Sequence, residues 1–367
     1  MRAGLAWDER FLRHDSGDLA LTFPPAARMQ PHPNQESPEG KARIVALLAE
    51  AGLLPRLARI APRPATREEL LWVHTPAHLA RIEQASRAGG ALIAPRMWAG
   101  PDTWDMACLA AGTAVACVEA VLAGTVEAAY ALVRPPGHHA EAELATGLCF
   151  LANAAIAGKA ALERHGLARI AYVDWDAHHG NGTQAAFWTD PRALTISLHQ
   201  DGFGSSTGGL DQIGEGAGRG FNLNIPLPPG SGHGAYLAAF ERIVVPALER
   251  FRPELILLPC GFDAGHHDPL ARMMLTSESF RALTRMVMEV AQRHCRGRMV
   301  LVHEGGYAAW SMPYLALAVF ETLLGEKTQV ADPYLPVWRD LPGQDLQPHQ
   351  DQAIARAAAV ARDLGRI

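Results

Sequence analysis

The sequence predicts an α/β protein in which one open, mainly parallel sheet carries helices on both faces within a single domain spanning residues 1–367. Three observations predict it. Apolar strand-like runs alternate with helical patterns along the chain. Four of those runs end in clusters of polar, chemistry-bearing residues, and such sheets open their ligand crevices at the carboxyl ends of strands. Finally, 367 residues with 49% hydrophobic side chains can bury a large core without forcing a division.

In chain order, the strand-like runs are 128–133, 169–174, 194–199, 255–259 and 299–303. The spacing of apolar and charged residues predicts helices over 103–122, 153–165, 234–251 and 277–295. Residues 201–220 are dominated by glycine, serine and aspartate without periodicity and read as a long loop, of the kind that is often functional. Residues 332–349, rich in proline and glutamine, read as a connector to a last helix at 350–364, so that 332–367 forms a C-terminal extension.

Composition narrows the function. A formal charge of −5 offers no basic stripe for phosphates, which excludes direct nucleic-acid binding as the primary expectation. The five cysteines are an odd number with no Cys-x-x-Cys pair, against a disulfide framework or a thiolate zinc site and in favour of a reducing compartment. No apolar leader core opens the chain, and no run reaches the ~18 uninterrupted apolar residues of a membrane span. The expectation is a cytoplasmic protein without a membrane partner.

The chemistry starts at Asp-Trp-Asp-Ala-His-His-Gly-Asn-Gly, residues 174–182. Asp174, Asp176 and His178 are two apart, so an extended chain points them the same way. Carboxylate and imidazole donors together suit zinc, although the same shell also admits iron. After the run at 128–133 come Arg-Pro-Pro-Gly and then His138 and His139. The stiff turn holds both rings over one spot. Each ring needs a partner to fix its tautomer, and Asp174 and Asn181 are available. A carboxylate partner favours the imidazolium, so His138 beside Asp174 is expected to protonate more readily and His139 to act as general base and acid. After 255–259 comes Asp263, and after 299–303 come Glu-Gly-Gly and Tyr307, whose phenol is suited to donate to a developing oxyanion.

Pro-Pro-Gly-His-His, Asp-Trp-Asp-Ala-His-His-Gly-Asn-Gly, Gly-Phe-Asp-Ala and Glu-Gly-Gly-Tyr, in this order, resemble the zinc-dependent histone deacetylase family of the arginase-like fold. The likeness runs from about residue 20 to residue 325 and is greatest to the class II branch and to bacterial histone-deacetylase-like amidohydrolases, because Asn181 stands where class I members carry aspartate. The resemblance implies Asp176, His178 and Asp263 as zinc ligands, His138 and His139 as the catalytic pair, and Tyr307 as the oxyanion donor. It also implies potassium (K+) beside the zinc (Zn2+), held by Asp174, Asp176, His178, Ser197 and the carbonyl of Leu198. A second potassium site would use carbonyls of Phe187, Asp190, Ala193 and Phe221. The implied reaction is hydrolysis of an N-acyl-lysine amide by metal-activated water. Alternatives are an acetylpolyamine amidohydrolase and, from another class, an inactive acyl-lysine-binding module. A manganese ureohydrolase would need a two-metal carboxylate set that the sequence lacks.

Departures from the family bear on the substrate, whether an acyl-lysine protein or peptide or a small acylated amine. Leu148 after Gly147 replaces the phenylalanine that walls the acyl-lysine tunnel, and Phe203 is the candidate for the opposite wall. A leucine wall is less planar and admits acyl groups longer than acetyl. Leu270 stands where polyamine-selective relatives carry glutamate, which favours acyl-lysine. Gly305 and Gly306 line the site next to Tyr307, and Asp102 lies in the loop that grips substrate backbone in relatives, although it equally suits a helix N-cap. His266 and His267 read as solvated rim residues, and His74 and His78 as a pair without a catalytic glutamate between them. Met273 and Met274 read as wall packing, and Cys149 and Cys260 as small buried fillers. Self-association into a homo-oligomer is compatible with the surface loops and the C-terminal segment.

Overall fold

The structure is a computed structural model that describes residues 2–18, 34–202 and 206–367. Its strands among these residues are β1 (Ala3–Ala6), β2 (Ala58–Ile60), β3 (Ala91–Ala94), β4 (Met97–Ala99), β5 (Ala128–Ala131), β6 (Ile170–Asp174), β7 (Ala193–Gln200), β8 (Asn222–Leu227), β9 (Leu255–Cys260) and β10 (Met299–His303). Eight of them form one sheet in the order β2-β1-β5-β10-β9-β6-β7-β8, with every neighbouring pair parallel. β3 and β4 form a separate antiparallel hairpin.

The strands are apolar throughout because both faces of the sheet are covered. Side chains alternate between two cores: Ile256 and Leu258 of β9 with Met299 and Leu301 of β10 face one way, and Leu255, Leu257, Val300 and Val302 face the other. Pro38–Glu50, Ser277–His294, Met312–Leu324 and the run from His233 to Phe251 pack on the first face. Thr103–Leu122, Pro76–Arg87 and Asn153–Lys159 pack on the second. Thr103–Leu122 has the length and composition to cross a membrane, but 72% of its most apolar window is buried inside this protein, as in a core helix.

Differences from the expected elements are local. The predicted 153–165 helix is α-helical over Asn153–Lys159 and widens to a π turn over Ala160–Arg164, and the 234–251 helix carries a similar turn at Phe240–Val244. Among its described residues, the 201–220 loop contains one short helical turn, Gly216–Gly218. The connector holds a short helix, Leu335–Trp338, before the last helix at Pro348–Asp363. That helix packs on β8, and the Arg366 guanidinium beyond it lies 3.6 Å from the Phe221 ring centroid.

The order of the sheet places the site. β5, β10, β9 and β6 are consecutive at its centre. The four polar motifs follow these four strands, so residues far apart in sequence emerge side by side at one edge.

Candidate functional site

Asp176 and His178 leave the end of β6, and Asp263 follows β9. Their donor atoms all lie within 4.8 Å of one another. His178 Nδ1 is 2.9 Å from Asp263 Oδ2 and 3.1 Å from Asp176 Oδ1. Its Nε2 is 3.1 Å from the Leu270 carbonyl, an acceptor that places the proton on Nε2 and leaves the Nδ1 lone pair directed toward the carboxylates and any cation between them. Backbone amides finish the carboxylates: Ala177 N–H donates to Asp263 Oδ1 at 2.7 Å and Gly305 N–H to Asp176 Oδ2 at 2.9 Å. A Cβ on Gly305 would stand 2.2 Å from Asp263 Oδ2, so only glycine permits this approach. Burial and the neighbouring Asp176 charge push Asp263 up to about 6. Two buried carboxylates and one imidazole converging in this way fit a divalent cation, which would offset their mutual repulsion.

His138 and His139 follow Gly137, with ring centroids 4.1 Å apart. His138 Nδ1 is 2.9 Å from Asp174 Oδ2, and His139 Nδ1 is 2.7 Å from Asn181 Oδ1. Burial disfavours a charge on His138, but Asp176 and Asp174 outweigh it and raise its pKa to about 10. Burial and the adjacent His138 and His178 hold His139 well below the ordinary imidazole value. Asn181 is itself held by donating to the His139 carbonyl at 3.1 Å and to Glu141 Oε1 at 2.6 Å.

Glu304 was not singled out by sequence reasoning, although it opens the Glu-Gly-Gly-Tyr motif. Its Oε2 accepts from the N–H groups of Gly137 at 2.6 Å and His138 at 3.0 Å, tying the histidine loop to the end of β10. A second anchor was also missed. Arg134, fully buried, makes two 2.7 Å bonds to the two oxygens of Glu36 and donates to the Phe11 carbonyl at 3.0 Å, with Lys41 3.1 Å from the same carboxylate. The charge in Arg-Pro-Pro-Gly was the only signal for it.

Tyr307 is half-buried, and its N–H donates to Asp268 Oδ2 at 2.7 Å. Burial and the charges of Asp263 and Asp176 keep its phenol protonated well above the ordinary range. Gly306 before it adopts φ +126°, open only to glycine. Gly147 lies so close to His139 that a Cβ would meet the ring at 2.2 Å, and Leu148 is buried in the left-handed region at φ 68°. Leu270 is half-buried. Asp102 is exposed at the N-cap position of Thr103–Leu122, where its side chain accepts no capping bond. Phe203 lies outside the described residues.

Asp174 and Ser197 are register partners across β6 and β7, and Leu198 is buried in β7. Asp174 Oδ1 also accepts from Asp176 N–H at 3.1 Å. The carbonyls of Phe187 and Asp190 accept turn bonds from Asp190 and Ala193 at 3.0 and 3.3 Å, and that of Phe221 accepts from Thr195 at 2.9 Å. The Phe221 carbonyl also accepts from Thr195 Oγ1 at 3.4 Å, so of these three the carbonyls of Phe187 and Asp190 are the ones with a second lone pair to offer a cation.

Four histidines outside the site are packed. His266 and His267 are not solvated as expected: His267 accepts from Trp338 Nε1 at 3.2 Å, and the His266 ring centroid is 4.6 Å from that of Trp338, a side chain of the C-terminal connector. His74 and His78 stack at 4.9 Å and bond to the backbone of residues 141–152. Met273, Cys149 and Cys260 are buried.

Comparison with known proteins gives concordant matches. The family described as Histone deacetylase domain matches residues 32–323. The chain is 50% identical over 336 residues to a histone deacetylase-like amidohydrolase of Pseudomonas aeruginosa, covering 90% of this chain and 88% of the relative. It is 36% identical over 348 residues to a probable deacetylase of Archaeoglobus fulgidus, covering 92% of each. A crystal structure of the HDA15 HD domain superposes with a TM-score of 0.86 at 32% identity, covering 98% of this chain and 94% of that one.

Proposed function

The chain belongs to the histone deacetylase domain family and is a hydrolase of the deacetylase-like amidohydrolase kind, and from that premise we propose that it hydrolyses N-epsilon-acyl-lysine amides. The observation that carries this reading is the pair of adjacent histidines with unlike partners, a carboxylate on His138 and an amide on His139, set against the Asp176, His178 and Asp263 donors.

Zinc is the ion we assign to Asp176, His178 and Asp263, where it would supply Lewis-acid polarisation of the amide carbonyl and a more acidic water. The chain's own residues do the rest. His139, oriented through Nδ1 by Asn181, presents its other nitrogen to take the proton of the attacking water. His138, its Nδ1 proton held by Asp174, keeps a positive charge beside the site. The proton taken up by His139 passes to the amine as the carbon–nitrogen bond breaks, leaving carboxylate and free lysine. Tyr307 donates its phenolic hydrogen to the oxygen that becomes negative. Potassium is assigned to the Asp174, Ser197 and Leu198 corner, where it would hold the carboxylate that holds His138, and to the carbonyls around Phe187.

Gly147, Leu148 and Leu270 are assigned to the acyl and lysine passage, with Phe203, Asp102 and the Gly305-Gly306 turn. Leu148 in place of an aromatic wall favours acyl groups longer than acetyl, and an uncharged Leu270 favours lysine over a polyamine. The five unpaired cysteines support a cytoplasmic location. Turnover of acyl-lysine peptides of increasing chain length, beside acetylspermidine, tests the reading. Peptides are expected to be preferred, with propionyl or butyryl accepted. Preference for acetylspermidine would replace it with the polyamine reading, and binding without turnover would make the chain an acyl-lysine reader.

A further inference from the structure

A second cluster of ligating side chains lies beside the first and shares none of its residues. A ring nitrogen of His138, the thiol of Cys149 and a carboxylate oxygen of Glu304 all fall within 4.8 Å of one another, and all three residues are buried. Cys149 offers its sulfur with only a weak commitment, a 3.4 Å contact to the Gly147 carbonyl. Glu304 uses Oε2 for the Gly137 and His138 amides, while its Oε1 is buried without any hydrogen-bond partner. A buried carboxylate oxygen left empty is costly unless something cationic or a donor reaches it.

We propose that His138, Cys149 and Glu304 form a second, inhibitory metal site for a thiophilic divalent ion such as excess zinc or cadmium. Imidazole, thiolate and carboxylate make a mixed donor set that such ions accept. Binding replaces the thiol hydrogen of Cys149 and one imidazolium hydrogen of His138 by the metal, both protons leaving to solvent, and the thiolate and carboxylate then neutralise the dication. The ion occupies His138 and draws its ring from Asp174, so it stops the proton-handling pair without displacing the first ion.

Cadmium titration of the zinc-loaded full chain tests this, because a cadmium–thiolate bond has its own ultraviolet charge-transfer band and the first site contains no sulfur. One band saturating at one cadmium per chain, together with loss of turnover, is expected. Cys149→Ala should keep its basal turnover, lose the band, and need about tenfold more cadmium or zinc for half inhibition. If that variant fails to fold, Cys149→Ser fills the same space and must give the same result. Glu304→Gln should weaken the band by a similar factor. A band that persists in the Cys149 variant, or cadmium inhibition of the natural chain with no band, overturns the site. The band is read without substrate, so it stands or falls apart from the acyl-lysine reading.

Discussion

The rings of His138 and His139 lie 4.1 Å apart, and those of His74 and His78 lie 4.9 Å apart, yet the two pairs are built from different partners. His138 and His139 engage side chains, Asp174 and Asn181, beside a set of metal-type donors. His74 and His78 are anchored by backbone groups, the Glu141 carbonyl and Ala152 N–H for His74 and the Phe150 carbonyl for His78, whose Nδ1 also accepts from the Arg81 guanidinium at 3.1 Å. The difference teaches that a histidine pair is identified by what holds it. Backbone partners at both ring nitrogens of His74 fix one neutral tautomer and make a strut, whereas His139 is oriented by a side chain through Nδ1 and keeps its other nitrogen able to gain and lose a proton. The strut serves the reactive pair, because residues 141–152 carry Gly147, whose backbone lies against His139.

The largest effect that would break this contrast is on catalysis. His139→Ala should lower kcat by about 10²- to 10⁴-fold while the melting temperature stays within a few degrees, since a general base is lost from a half-buried ring. Steady-state kinetics with a parallel thermal melt checks it. An unchanged kcat would make the pair a strut like the other.

Next comes His74→Ala, for which stability rather than rate should suffer. The substitution leaves the buried Ala152 N–H without its acceptor and opens a cavity, together costing about 2–4 kcal/mol. Urea unfolding reads that loss, and kcat of the folded fraction should remain within about tenfold. A rate loss as deep as that of His139→Ala would dissolve the distinction.

How much of this was legible follows the physics of each region. The five strands read from sequence are in the sheet because long apolar runs ending in polar motifs need few assumptions. β1 escaped notice because Ala-Gly-Leu-Ala has weak strand propensity and is held extended by β2 and β5 on either side. β8 was hidden by the glycine-rich loop that runs into it. The motif residues could be placed near each other because all follow strand ends, but their contacts could not. Glu304, Asp268 and the Leu270 carbonyl act through backbone groups, and nothing in a residue's type announces which amide or imidazole its neighbour will meet. The packing of His266 and His267 by Trp338 likewise depends on where the C-terminal connector returns.

The smallest expected effect sharpens the comparison through pH. His74 accepts from Ala152 N–H at Nε2 and therefore donates from Nδ1 to Glu141, so it must be neutral in the folded protein. Burial, with His78 adding to it, lowers its pKa to about 3. An unfolded histidine protonates near 6.5, so the unfolded chain binds the proton first and stability falls as pH drops below that value. The slope approaches about 1.4 kcal/mol per pH unit, or about 2 kcal/mol between pH 6.5 and 5, until the folded state protonates near 3. His14, His179 and His199 are shifted the same way, so the natural chain alone cannot isolate His74. His74→Gln keeps an acceptor for Ala152 but cannot protonate. The difference in unfolding free energy between the two chains should therefore narrow by about 2 kcal/mol from pH 6.5 to 5. A constant difference over that range would mean that His74 is already charged in the fold, and the strut assignment would fail.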